Sequence, residues 1–193
     1  TGSAYNFRAR SSILGDIINS TPYHVSSTNG HTVEKEVLVY GANDGMVHIV
    51  DSADGDEIVA YIPSGVYDAL GNYVKDDYIH QYSVDGGISA YSNGDDLISI
   101  TGKTGTFART TAVGRLGLGV KGLYAIDVSN AGTVNASMMK WEITTATTGF
   151  ERLGYSTSSP TMVKLANGAA GVVFANGYNS STGTGTNADA GSI

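Results

Sequence analysis

Apolar residues in this chain come in short runs separated by glycine-rich turns, and the runs recur in a fixed order. "GMVHIVDSADGDEIVAYI" (Gly45–Ile62) and "GLYAIDVSNAGTVNASMMKWEI" (Gly122–Ile143) share one layout: a Gly, a mostly apolar run, an Asp, a turn, and a second run with an aromatic near its end. Asp51 falls on Asp127, and Tyr61 falls roughly on Trp141. Another apolar run precedes each, "EVLVYGAND" (Glu36–Asp44) and "RTTAVGRLGLG" (Arg109–Gly119), and a third copy opens at "AGVVFANGYNS" (Ala170–Ser180). Ahead of each pair stands a segment rich in small residues: "DIINSTPYHVS", "YSVDGGISAYS" and "GYSTSSPTMVK". Pro22 matches Pro160, and "LGD" (Leu14–Asp16) matches "LGY" (Leu153–Tyr155).

Short runs rich in Val, Ile and Tyr between Gly and Asp turn signals read as β-strands. Four such strands per unit predict an all-β fold, a partial β-propeller of four-stranded antiparallel blades. A single blade cannot bury both of its faces, so repetition is a physical requirement. Asp51 and Asp127 lie about 75 positions apart, above the roughly 40–50 of a simple propeller repeat. The excess falls in Ser64–Phe107, read as an inserted loop region near 65–106. Residues 1–193 thus read as a fragment of one propeller domain, about two and a half blades, with both ends apparently cut.

The carboxylates concentrate at the turns. Asn43-Asp44-Gly45 reads as a hairpin turn, where Asp-Gly meets the backbone demands of a tight reversal. Asp51 and Asp127 close strands, where a short carboxylate accepts backbone N–H groups of the following turn. Asp44, Gly45, Asp51 and Asp127 are therefore assigned to structure. Calcium is the competing reading of "DSADGDE", since Asp51, Asp54, Asp56 and Glu57 offer hard oxygens. Gly55 breaks the required spacing, so the turn reading is preferred.

The histidines His24, His31, His48 and His80 show no metal-ligand spacing. His48 sits where Tyr124 sits in the sister copy, which suits an amphipathic aromatic position. His80, in "DDYIHQYSVDG", is the one histidine near carboxylates in the inserted region, and a structural hydrogen bond is expected there. "GRLGLGVKG" (Gly114–Gly122) lacks the G-K-[ST] ending of a phosphate loop and reads as a hairpin loop. No nucleophile elbow is present. No catalytic, cofactor-binding or metal-binding residue is assigned.

Composition narrows the classes further. A net charge of −7 disfavours phosphate backbones, and therefore nucleic acid. No apolar run reaches the roughly 18 residues of a membrane span. The chain has no Cys, which removes disulfides and thiolate chemistry. "NGYNSSTGTGTNADAGS" (Asn176–Ser192) has no apolar period and reads as an exposed loop.

"LGDIINSTPYHV", "VLVYGANDGMVHIVDSADGDEIVAYIPSGVY", "DDYIHQYSVDG", "GRLGLGVKGLYAIDV" and "VVFANGYNS" resemble, in this order, the C-terminal β-propeller of the PilC/PilY family of type IV pilus proteins. The resemblance runs from about Leu14 to Ile193; "NDGxxxxxD" by itself is shared with quinoprotein-like propellers. It implies a protein exported by a Gram-negative bacterium, at the outer membrane, cell surface or pilus tip. It implies a non-catalytic adhesin or assembly factor whose loops bind pilin subunits, a host or surface receptor, or other domains of the same protein. The loops held out to such partners would be Gly65–Thr106 and Tyr178–Gly191. The family's calcium-binding Asp-rich loop has no counterpart here, so calcium is expected only outside these residues and no ligand is carried over. Gly71–Lys75 and Ser92–Lys103 depart from the family pattern. The alternatives are a quinoprotein-type dehydrogenase, which needs a stacking Trp and carboxylates at the axis, and a periplasmic scaffold for outer-membrane assembly. Trp141 is the one Trp, and the pattern puts it on an outer strand.

Overall fold

The computed structural model describes residues 7–29, 32–92, 110–167 and 169–180. Among these residues ten strands run as successive meanders: β1 (Tyr23–Asn29), β2 (Thr32–Gly41), β3 (Val47–Asp51), β4 (Glu57–Tyr61), β5 (Ile88–Ser92), β6 (Thr110–Arg115), β7 (Gly122–Asp127), β8 (Met139–Thr144), β9 (Thr161–Lys164) and β10 (Ala170–Val173). They form two four-stranded antiparallel sheets, β1-β2-β3-β4 and β5-β6-β7-β8, and the two-stranded pair β9-β10. The sheets are the units read from the sequence, and their innermost strands adjoin, β1 beside β5 and β5 beside β9.

Region 65–106 is divided rather than being one insertion. A 3-10 segment, Ser64–Asn72, follows β4, and β5 is a full member of the second sheet. Residues 93–109, which include Asp95 and Asp96, lie outside the described residues, as does 181–193 with most of the Tyr178–Gly191 loop.

Strand parity explains the packing. Successive side chains alternate faces, so Val37, Val39, Val47 and Ile49 share one face of the first sheet. All four are fully buried against Ala112, Tyr124 and Ile126 of the second sheet. Each buried side chain of this size is worth roughly 1.5–3 kcal/mol, so this sheet-on-sheet contact dominates the stability.

Register makes the repeat quantitative. Tyr40 pairs with His48 in the first sheet, and Gly114 pairs with Tyr124 in the second. The outer hairpins even share a bulge, at Ile49/Val50 and at Ala125/Ile126. The aromatic match is offset, however. Tyr61 stands opposite Val47, whereas Trp141 stands opposite Ala125, two residues further along its strand.

The paired positions also exchange volume. A Cβ on Gly114 would fall 2.2 Å from the Tyr124 hydroxyl oxygen, so the glycine makes room for that ring. In the first sheet Tyr40 supplies the bulk and stacks on His48, with ring centroids 5.1 Å apart.

Candidate functional site

The turn between β2 and β3 carries more than a reversal. Gly45 takes φ +99°, and Asn179 is the one described non-glycine residue with a positive φ. Asp44 therefore keeps ordinary backbone geometry, and its carboxylate is available for bonding. It accepts from the Gly15 N–H at 2.8 Å and the Met46 N–H at 3.1 Å, and both oxygens lie 3.3 Å from His48 Nε2. His48 Nδ1 reaches Glu57 at 2.7 Å. The result is a buried imidazole between two carboxylates, roofed by the Tyr40 ring.

Burial alone would raise the Asp44 carboxyl, but bonds from His48, Gly15 and Met46 outweigh it and hold it below the usual range. Burial would lower His48, but Asp44 and Glu57 outweigh it and raise the imidazole above its ordinary value. The group is thus a hydrogen-bonded triad tying β3, β4 and the turn to the amino-terminal segment. Glycine at position 15 is required for the crossing, because a Cβ there would sit 2.2 Å from the Asp44 nitrogen. Gly154 crosses the third unit in the same way, since a Cβ there would fall 2.5 Å from the Tyr178 carbonyl oxygen, which accounts for the repeated "LG" marker.

Beside the triad lies a polar cleft of about 320 Å³, lined by Arg8, Arg10, Asp16, Asp44, Tyr78 and His80 among others. His80 Nε2 lies 2.9 Å from Asp16, which also accepts from Asn43 Nδ2 at 3.0 Å. The Arg8 guanidinium stacks 3.8 Å above Tyr78. Among the described residues no group of three His, Asp or Glu side chains is arranged to hold a metal ion.

The remaining turn carboxylates lie apart, at the far ends of their strands. Asp51 accepts from the Ala53 N–H at 3.0 Å and pairs with Lys35, while Asp54 accepts from the Asp56 N–H. Asp127 accepts from the Ser129 N–H at 3.0 Å and pairs with Lys140 at 3.0 Å. Of the carboxylates in "DSADGDE", Asp51 is turned onto backbone and lysine, Asp54 onto backbone, and Glu57 onto His48.

Sequence reasoning missed Arg115. It ends β6, is 1 % exposed, and among the described residues no ion pair joins it to a carboxylate. Its guanidinium instead donates to the carbonyls of Ala175 at 2.9 Å, Ser156 at 3.2 Å, Gly154 at 3.3 Å and Asn176 at 3.4 Å. Burial lowers its pKa to about 10, which leaves it charged at neutral pH. It clamps the third unit to the second. The available signal was parity: Arg115 continues the inward Val113 row of β6.

An apolar groove of about 460 Å³ opens between the first two sheets, lined by Val59, Tyr61, Ile126, Met138 and Met139 among others. Trp141 lies on β8, the outermost strand of its sheet.

Comparison with known proteins follows the same boundaries. The family model for the PilY1 beta-propeller domain matches residues 13–193. The chain is 34% identical over 193 residues to a type IV pilus biogenesis factor PilY1 homolog of Xylella fastidiosa, covering 90% of this chain and 15% of that protein. It is 35% identical over 201 residues to the type IV pilus biogenesis factor PilY1 of Pseudomonas aeruginosa, covering 91% of this chain and 16% of that protein. The chain thus spans about one sixth of the length of these relatives. No solved structure matches it.

Proposed function

The chain belongs to the PilY1 β-propeller domain family, and from that premise we propose that it is the display module of a type IV pilus biogenesis factor. In this reading the protein is exported, acts at the cell surface or pilus, and performs no catalysis. The packed sheets serve as a rigid frame, and the connecting segments meet pilin subunits or a surface receptor. The observation that carries the reading is the similarity to type IV pilus biogenesis factors over about nine tenths of the chain.

Local chemistry supports it. The segment joining the first two sheets exposes Tyr67, Ile79 and Tyr82, at 58%, 79% and 40%, and Tyr178 projects near the third unit at 55%. Exposed aromatic and large apolar side chains on loops are the usual anchors of protein interfaces. In the cleft Asp16 is bonded by His80 and Asn43 and Asp44 by His48, while the Arg8 guanidinium rests on the Tyr78 ring. Trp141 stands on an outermost strand, far from where a quinone would stack on the axis.

The test is genetic and then local. Deleting the gene should abolish surface pili, and the intact gene should restore them. Tyr67→Ser combined with Ile79→Ser should reduce piliation or attachment while export and melting temperature stay unchanged. Normal piliation and attachment in the deletion strain would overturn the reading.

A further inference from the structure

Arg8-Ala9-Arg10 is the one place in this acidic chain where two cations stand within three residues. Both arginines line the polar cleft of about 320 Å³ beside the Asp44 turn, together with Asp16 and Asp44. Opposite charges that share so small a cleft are expected to pair, and among the described residues these do not. Asp16 is bonded by His80 and Asn43, and Asp44 by Gly15, Met46 and His48. Arg10 is exposed and donates to the Ile13 carbonyl at 2.8 Å. Arg8 Nε is buried without a hydrogen-bond partner.

Arg8 is nevertheless held in place. Its backbone N–H donates to the Val74 carbonyl at 3.0 Å, and its guanidinium rests on Tyr78, which packs edge-on against the buried Tyr73. A cation fixed in advance on an aromatic face loses little freedom when a ligand arrives. A buried donor left unpaired is unfavourable, and a carboxylate is the anion whose two oxygens match the guanidinium fork.

We propose that Arg8 and Arg10 form a carboxylate-binding site and that its occupant is an acidic peptide segment of a partner protein. Charge complementarity selects the acid, since the carboxylates native to the cleft already have partners of their own and the two cations have none. Residues 1–7, Thr-Gly-Ser-Ala-Tyr-Asn-Phe, carry no acidic side chain that could fill the site from next door. The surroundings select a peptide. Ile13, whose carbonyl holds Arg10, is 94% exposed, and Ile79, between Tyr78 and His80, is 79% exposed. A chain that places a carboxylate on the arginines can lay apolar side chains on these isoleucines, whereas a free inorganic anion leaves them bare. The inference rests on the cleft and not on the pilus reading, and either can fail without the other.

Fluorescence anisotropy on the purified full-length protein tests this with two labelled peptides, one alternating Glu and Leu, the other alternating Gln and Leu. The Glu peptide should bind at least about tenfold more tightly than the Gln peptide, and added salt should weaken it. Arg8→Gln combined with Arg10→Gln should remove that preference. Ile13→Ser should weaken both peptides while the preference stays. Equal affinity for the two peptides, no binding of either, or an unchanged preference in the double variant overturns the site. Unchanged affinity in Ile13→Ser overturns the apolar flank. Inorganic phosphate that binds in calorimetry, while the Glu peptide does not, assigns the cleft to a free anion and overturns the peptide. Should the double variant fail to fold, Arg10→Gln alone, at an exposed position, replaces it: the preference must fall several-fold, and an undiminished one overturns the proposal.

Discussion

Replacing Arg115 by Met keeps most of the side-chain volume and removes the clamp between the second and third units. Of the four carbonyl contacts, those to Ala175 and Ser156 are short enough to count fully, and those to Gly154 and Asn176 are long. Charged hydrogen bonds are worth about 1.5–3 kcal/mol each, so the two good ones amount to about 3–6 kcal/mol. Removing the cation also relieves its burial. The fall in its pKa from 12.5 to about 10 sets that relief at about 3 kcal/mol. The net expectation is a loss of about 2 kcal/mol, concentrated in the third unit. Local opening there should then rise roughly 30-fold. Hydrogen–deuterium exchange reads this at Gly154, Tyr155 and Tyr178, whose N–H groups bond across the third hairpin. Exchange at β2 and β3 should stay unchanged. Lysine is not a conservative substitute, since a point charge cannot span several carbonyls as a guanidinium fork does. Arg115→Met with wild-type exchange at these three amides would refute the clamp.

Gly114→Val forces a branched side chain into the Tyr124 ring and should cost at least about 1–3 kcal/mol in chemical denaturation. Tyr124→Phe removes a buried hydroxyl that has no hydrogen-bond partner among the described residues, so its stability should stay within about 1 kcal/mol of wild type or exceed it. In acid, burial raises the Asp127 carboxyl, but Ser129 and Lys140 outweigh it, while Lys35 and the Ala53 N–H lower Asp51. These depressed carboxylates contribute stability that is complete above the unfolded value of about 3.9 and lost as pH falls through the lower folded values. Asp127→Asn should flatten that acid limb in a pH series of melting temperatures; an unchanged limb would assign the loss to other groups.

Legibility tracked how local the cause was. Strand order, the Gly45 turn and the two strand-closing aspartates were readable because each depends on a few consecutive residues. Tyr124 and His48 were correctly aligned as one position, since the repeat itself provides the comparison. What His48 does was not readable: Glu57 pairs with it across a strand, and Gly15 binds the same Asp44 from 29 residues upstream. Arg115 stayed hidden because its partners are backbone carbonyls, which carry no side-chain signature. The 65–106 region was read as one insertion although "YSVDGGISAYS" within it was placed ahead of the second unit, where β5 stands.

The exchange of bulk between Tyr40–His48 and Gly114–Tyr124 bears on assembly during synthesis. Tandem repeats risk pairing with the wrong sister, and multidomain chains misfold by such swaps. Here each strand pairing has its own complementary shape, large against medium in β2-β3 and nothing against large in β6-β7. A strand that pairs with the wrong sister meets a clash or a void, so the order along the chain is written into side-chain size as well as into connectivity.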